Sequence, residues 1–536
     1  MPAGDIDPEK GSVGLSVDKT PSDQNQTRTE IPAVELDRLG EKEGYILDAT
    51  TFQAEHAGQQ QDLKLAPDGK TVLIPQPSDD PVDTLNWSQT KKNLVLFIIS
   101  ACAFLPDYGS ATGAVTLLQQ AKLWNMTEDH VNHSQVGNVF MLGAGGLFVT
   151  VFGAYFGRLP VLFWFLVFAL WTAAWCAGAH GFNDFMAARI LNGFFSTVAQ
   201  GGGLMFIKDM FFFHEHARKI NLWASFIVLS PYFGPLLAAF MIATQSWRLP
   251  FWIYTIETGL CLVLVILFVD ETYYNRSIPA SQQPVRRSRI LRLIGVEQWR
   301  SREQRSTLYE AFMRPIKVIL KPTVFMSVFY YLFTFAWVVG INTTLAIFVT
   351  PLYNFGPLQI GYFYFTPIVA AILGEIAGHW LHDYLARVYI RHHPKKHLDP
   401  EARLLAIWVS TPFVVAGLIF IGFCLERGYH YMLTALAWGL YVFGIMITTV
   451  AVSAYNLDSY PEGSGEVAAW VNFGRTTGGF IVSYFQVQWA ERTGTEASFG
   501  TQAGICAAMF LFFVVTLQVW GKRLRMWAGP LDFKTN

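Results

Sequence analysis

Asn93-Leu-Val-Leu-Phe-Ile-Ile-Ser-Ala-Cys-Ala-Phe-Leu-Pro-Asp107-Tyr108-Gly109-Ser-Ala-Thr-Gly113 is an apolar run of 21 residues with a single charge in it. Coiled as a helix at about 1.5 Å per residue, it matches the ~30 Å hydrocarbon layer of a bilayer. A carboxylate at mid-span is costly against lipid, so Asp107 is expected to face protein or a water-filled cavity. Pro106 and Gly109 loosen the helix around it, which suits a lining position.

Eleven further runs of this kind lie C-terminal to the first. The predicted spans are 93–113, 137–156, 161–179, 185–206, 217–243 and 249–269, then 323–347, 359–382, 402–423, 429–456, 464–488 and 498–519. The expected fold is therefore all-α, with twelve transmembrane helices in two six-helix bundles. Residues 1–90 form a polar, largely disordered N-terminal tail, 91–269 one bundle, 270–322 a basic central loop, 323–520 the second bundle and 521–536 a short tail. No cleavable signal peptide is visible, and the first span serves as its own targeting signal. Composition agrees, with 52% of residues hydrophobic and 15% charged, against about 25% charged in a soluble chain.

Basic residues set the expected orientation. Eleven Lys or Arg fall in 270–322, with further clusters after the fourth and eighth spans and in the C-terminal tail. Both termini and the central loop are expected on the cytosolic side. The first loop then faces outward and carries two glycosylation sequons, at Asn125 and Asn132. Ile290, Leu291, Leu293 and Ile294 interleave with Arg289 and Arg292, a pattern for short amphipathic helices lying on the inner membrane face.

Charges inside spans mark candidate functional residues. Asp107 and Glu257 are candidate proton carriers or substrate contacts. Arg189 and Arg475 need a carboxylate or an anionic solute as partner. Aromatic and amide residues that would wall a cavity are Tyr108, Tyr331, Phe335, Trp337, Asn342 and Asn472, with ring faces suited to apolar or cationic solutes. Gly234-Pro235 breaks the helix ladder of the fifth span and kinks it. Glycine clusters at Gly143–Gly146, Gly201–Gly203 and Gly478-Gly479 permit close helix approach. No strand precedes the first of them, which rules out a nucleotide-binding loop there.

Other classes fare worse. The five cysteines lie in apolar runs without paired spacing, giving neither a disulfide framework nor a metal site. His379, His382, His392 and His393 fall at a helix end and in a basic loop, so no metal, no organic cofactor and no enzymatic activity is expected. The expected partners are a small organic solute, protons and the lipid bilayer, with no nucleic acid, and the chain is expected to act as a monomer.

Four stretches together resemble the major facilitator superfamily, in its fungal branch of twelve-span drug:proton antiporters. They are Asn86-Trp87-Ser88, Gly157-Arg158-Leu159-Pro160-Val161, Ala188-Arg189-Ile190-Leu191-Asn192-Gly193, and Asn472-Phe-Gly-Arg475 with Gly478-Gly479-Phe480. The resemblance implies proton-coupled secondary transport of a small organic solute, with export of a drug, toxin or metabolite favoured. Proton-driven uptake of an organic cation such as a polyamine, or transport of an organic anion, stays open. The plasma membrane is the expected location, with the vacuolar membrane as the alternative. Two departures stand out. The family's acid ahead of Gly157-Arg158 is absent from Val151–Phe156, whereas the second-half counterpart keeps Glu375 and Asp383. A charge-relay gate is thus expected on that second side, with Arg158 left as a gating residue lacking its local acid. In the fifth span, Ser230 and Ala238 stand where the antiporter motif favours glycine.

Overall fold

The computed structural model describes residues 64–65, 73–276, 278–392, 399–531 and 533. Most of the expected tail, 1–63 and 66–72, lies outside the described residues. Twelve long helices follow. In the first half they are α1 (Gln89–Trp124), α2 (Glu128–Phe156), α3 (Arg158–Gly178), α4 (Phe182–Met210, broken at Thr197), α5 (Phe213–Ile242) and α6 (Arg248–Phe268). In the second half they are α7 (Pro322–Tyr353), α8 (Pro357–Phe363 continued by Phe365–His392), α9 (Leu405–Glu426), α10 (Tyr431–Ser459), α11 (Ser464–Thr493) and α12 (Thr495–Ala528).

Among the described residues, eleven of these are long and apolar enough to cross a membrane. The twelfth, α11, carries Glu466, Arg475, Glu491 and Arg492 and is too polar by that criterion. Its position resolves the conflict. It packs between α7 of its own half and α2 of the other, so its polar side chains have protein neighbours. Gly478 lets it approach the Leu332 carbonyl of α7 at a distance no side chain would permit, and Gly234 brings α5 onto the Tyr108 carbonyl of α1 in the same way. The inner helix pair of each half is therefore joined through a glycine.

Helix starts follow local chemistry. The Ser88 hydroxyl accepts from the Lys91 N–H to cap α1, and Thr127 accepts from the His130 N–H to cap α2. Asn125 ends α1 in the left-handed conformation, at φ 51°. Gly157, at φ 99°, is the single residue between α2 and α3. Helix α2 begins well before the expected residue 137, which places Asn132 inside it at 1% exposure. The expected glycan at Asn132 is corrected accordingly: its side chain has no route to solvent. Asn125 is exposed.

The halves meet along α2–α11 and α5–α8. On the face away from the 270–322 connection, aromatic rings close this seam. His133 stacks on Tyr484 at 4.4 Å, Phe140 meets Phe480 at 5.1 Å, and Phe240 meets Tyr362 at 5.4 Å. On the connection face the described part of the N-terminal segment is docked, which its polarity did not suggest. Asp83 pairs with Arg276 at 2.8 Å, and the Thr84 hydroxyl donates to the Asp209 carbonyl. Amphipathic helices do form in the connection, at Arg289–Ile294, Val296–Arg300 and Leu308–Ile319.

Candidate functional site

Asp107 projects from α1 toward the boundary between the halves. Its Oδ2 accepts from Arg475 Nη2 of α11 at 2.8 Å and from Gln200 Nε2 of α4 at 2.8 Å. Gln200 also donates to the Ala103 carbonyl, one turn before Asp107. Arg475 donates to Asn472 Oδ1 at 2.8 Å, and its guanidinium lies 5.4 Å from the Phe335 ring centre. Both charged residues are buried, each at 8% exposure. Opposite charges from two halves thus meet in a low-dielectric site, where removal of either leaves the other uncompensated.

Arg475 and Gln200, the two partners of Asp107, line a cavity of about 140 Å³ between the halves. That is roughly ten times the space one water requires. Gln200 and Arg475 stand at one end, with Tyr232, Tyr331 and Phe335 around them, and the cavity runs to Leu457 and Val467 near the connection face. Tyr331 is fixed by a 3.0 Å hydrogen bond to Thr449. The cavity wall is thus mainly aromatic and apolar, with one charged lining residue, Arg475, whose carboxylate partner Asp107 stands behind it.

The other expected residues go elsewhere. Arg189 is buried at 1% and donates to the Gly109 and Ser110 carbonyls of α1, both at 2.7 Å, between the rings of Phe185 and Phe251. It holds the stretch of α1 that follows Asp107 and does not line the cavity. Tyr108 turns away from the cavity and packs on Phe104 and Tyr254. Glu257 is half-buried on α6, and its Oε2 has no hydrogen-bond partner among the described residues. Trp337 is a correction: it faces Trp489 and lines a separate lateral groove between α7 and α11. Asn342 donates from α7 to the Pro231 carbonyl of α5 at 3.0 Å and so ties the two halves together.

Charge pairs stand at corresponding places in the two halves. Arg158 finds its acids from distant segments: Nε lies 3.1 Å from Asp209 Oδ2 at the end of α4, and its backbone N–H donates to Glu271 Oε1 after α6. Gln298 of the connection donates to the other oxygen of Glu271. In the second half the matching pair is Arg403 with Asp458, at 2.9 Å, from the starts and ends of the corresponding helices. Glu375 is half-buried on α8 and belongs to neither pair, and the Asp383 side chain lies outside the described ones. Gln200, Asp209 and Glu271 were not singled out from sequence. Gln200 had a signal, being a lone amide in an apolar span next to Gly201–Gly203.

Two six-helix halves enclosing a central cavity, with charges shared across their boundary, define a membrane transporter of small solutes and not an enzyme. The chain belongs to the major facilitator superfamily, whose family model matches residues 94–483. Similar proteins include the MFS transporter cpaT of Aspergillus oryzae, 24% identical, with 83% of this chain and 90% of that protein covered. The efflux pump radE of Floropilus chiversii is 23% identical, with 83% of each chain covered. Among solved structures, the xylose transporter XylE of E. coli in a partially occluded inward-open conformation aligns with a TM-score of 0.55. It is 14% identical and covers 80% of this chain and 99% of that one, a likeness of fold.

Proposed function

We propose that the chain exports a small organic solute by proton-coupled alternating access, with Asp107 as the proton-carrying group and Arg475 as its switchable partner. One observation carries this reading: the two buried charges come from different halves and meet where Arg475 lines the central cavity. Protonation of Asp107 cancels its charge and frees Arg475 from the ion pair. Arg475 then needs another partner, and the relation between the halves shifts with proton occupancy. Solute in the cavity competes for the same polar groups, so proton and solute exclude each other, as antiport requires.

Export is supported by the likeness to an efflux pump and by the cavity's extension toward the face that carries the basic connection. Export from the cell corresponds to a plasma-membrane location with that face toward the cytosol. Action as a monomer is part of this proposal. The rings of Tyr232, Tyr331 and Phe335 in the cavity wall favour a hydrophobic or cationic solute. The same arrangement also supports a second reading, proton-driven uptake of an organic cation.

The test is flux in sealed vesicles under an imposed proton gradient, screening organic cations, dicarboxylates and hydrophobic toxins. Uphill movement against the gradient that is abolished by Asp107→Asn supports proton-coupled export. Movement with the gradient supports uptake, and movement indifferent to the gradient and to the substitution refutes coupling altogether.

A further inference from the structure

A groove of about 490 Å³ lies on the outside of the first half, where α2 and α3 meet the connection helix Val296–Arg300. Its floor is apolar, with Phe152, Phe156, Val161 and Trp164 from the long helices and Trp299 from the connection. Trp299 stacks near-parallel on Phe156, with centroids 6.2 Å apart, and Trp164 Nε1 donates to the Ile294 carbonyl at 3.1 Å. The connection is thereby pinned against the long helices, so the groove is built, not a gap left by a loose loop.

Position and charge together say what fits it. Trp164 sits six residues into α3, or about 9 Å from its start, so the groove opens on a part of α3 that matches the hydrocarbon of the connection-face leaflet, with the helix start and the connection nearer the headgroups. The exposed apolar face of α3, including Phe168 and Trp171, leads directly into the groove, and Ile290 and Ile294 are exposed beside it. At the far end stands Arg300, which lines the groove, and the Arg302 guanidinium lies 5.0 Å from the Trp299 ring centre. Among the described residues neither arginine has a carboxylate within ion-pair distance, whereas nearby Arg292 is paired with Asp270 and Glu297. No acidic residue lines the groove. An apolar trough continuous with the bilayer and ending in two uncompensated cations matches one chemistry, an acyl chain carrying an anionic headgroup.

We infer that this groove binds one anionic phospholipid from the leaflet on the connection face. An acyl chain lies between Phe152, Trp164 and Trp299, and the phosphate region rests on Arg300 and Arg302. The site is separate from the central cavity, and its occupancy does not depend on which solute is carried.

The test uses the purified full-length chain in neutral detergent, with native mass spectrometry to count retained lipid. Phosphatidylserine and phosphatidylcholine of identical acyl chains are offered in equal amounts. The expected result is one serine lipid retained with about tenfold preference, falling to parity in the Arg300→Gln/Arg302→Gln double variant. Both side chains are exposed, so this variant keeps its fold, which an unchanged melting temperature verifies. Equal retention of the two lipids by the unmodified chain overturns the inference, as does a preference unaffected by the double substitution. Displacement of the retained lipid by glycerophosphoserine, the headgroup without chains, also overturns it in favour of a soluble-anion site.

Discussion

Asn342 Nδ2 lies 3.0 Å from the carbonyl oxygen of Pro231, the oxygen left without a helical donor because residue 235 is a proline. A proline in one half thus creates an acceptor that an amide from the other half fills. The carbonyl of Ile227, freed in the same way by Pro231, is met locally by the Ser230 hydroxyl at 2.8 Å. This also gives Ser230 a physical role at a position where the antiporter motif favours glycine.

Replacing Asn342 by Ala leaves the Pro231 carbonyl unpaired, at an expected cost of about 1–3 kcal/mol. In a Pro235→Ala background the helical N–H is restored and the same substitution should cost clearly less. Unfolding midpoints for the four proteins of this cycle measure the coupling. Costs that add to within about 0.5 kcal/mol would show that the proline and the amide are independent.

Removing one partner of the buried Asp107–Arg475 pair is expected to destabilise by about 3–5 kcal/mol. Arg475→Gln does so by leaving a bare carboxylate, and Asp107→Asn by leaving a bare guanidinium. The double variant should regain much of the lost stability while uphill transport stays absent. Thermal unfolding and vesicle flux, measured on the same preparations, separate the two effects. Restored transport in the double variant would exclude a coupling role for the pair.

The docked N-terminal segment should loosen in acid. Burial alone would raise the Asp83 carboxyl, but the hydrogen bond and charge of Arg276, with backbone N–H groups of Leu85 and Ser78, hold it below the usual carboxylate range. A carboxyl lowered in the folded state stabilises above its ordinary value near ~4 and loses that contribution as pH falls through the lowered one. Hydrogen-exchange protection over residues 78–88, taken relative to the intrinsic rate at each pH, should therefore be high at neutral pH and fall in acid. Asp83→Asn should lower protection at neutral pH and make it less sensitive to pH. Equally high protection at both pH values in both proteins would mean that the ion pair does not hold the segment.

If the loop after α1 is glycosylated, the sugar sits at Asn125. Asn125→Gln should abolish the mobility shift on endoglycosidase treatment, whereas Asn132→Gln should leave it intact. The reverse pattern would require α2 to unwind at its start.

The twelve helices were legible because hydrocarbon thickness imposes a length that sequence cannot disguise. Even α11 could be found, since its glycines and charges sit within a run long enough to span. Asp107 and Arg475 were legible because a charge in a span needs a reason. That rule says a partner exists, not which one. Arg189 and Glu257 gave the same signal, yet one is bound to the α1 backbone and the other stands apart from the cavity. The partners of Arg158 were hidden for a different reason. Asp209 and Glu271 are far along the chain, and only the packing of α4 and α6 beside α3 brings them close. Trp337 shows the limit of aromatic density as a guide, because the direction of a ring depends on helix rotation within the bundle.

The ring-on-ring closure between α2 and α11, from His133 on Tyr484 to Phe140 on Phe480, has an electrical consequence. Stacked aromatic carbon offers a bare ion little solvation, so the ring-closed side acts as an insulating layer between the central cavity and the opposite face. A voltage across the membrane would then fall largely across this dry layer, and the buried Asp107–Arg475 pair lies on its connection side. A proton reaching Asp107 from the opposite face would cross most of that field. Its arrival would be driven by voltage as well as by concentration, without the protein ever becoming a conducting pore.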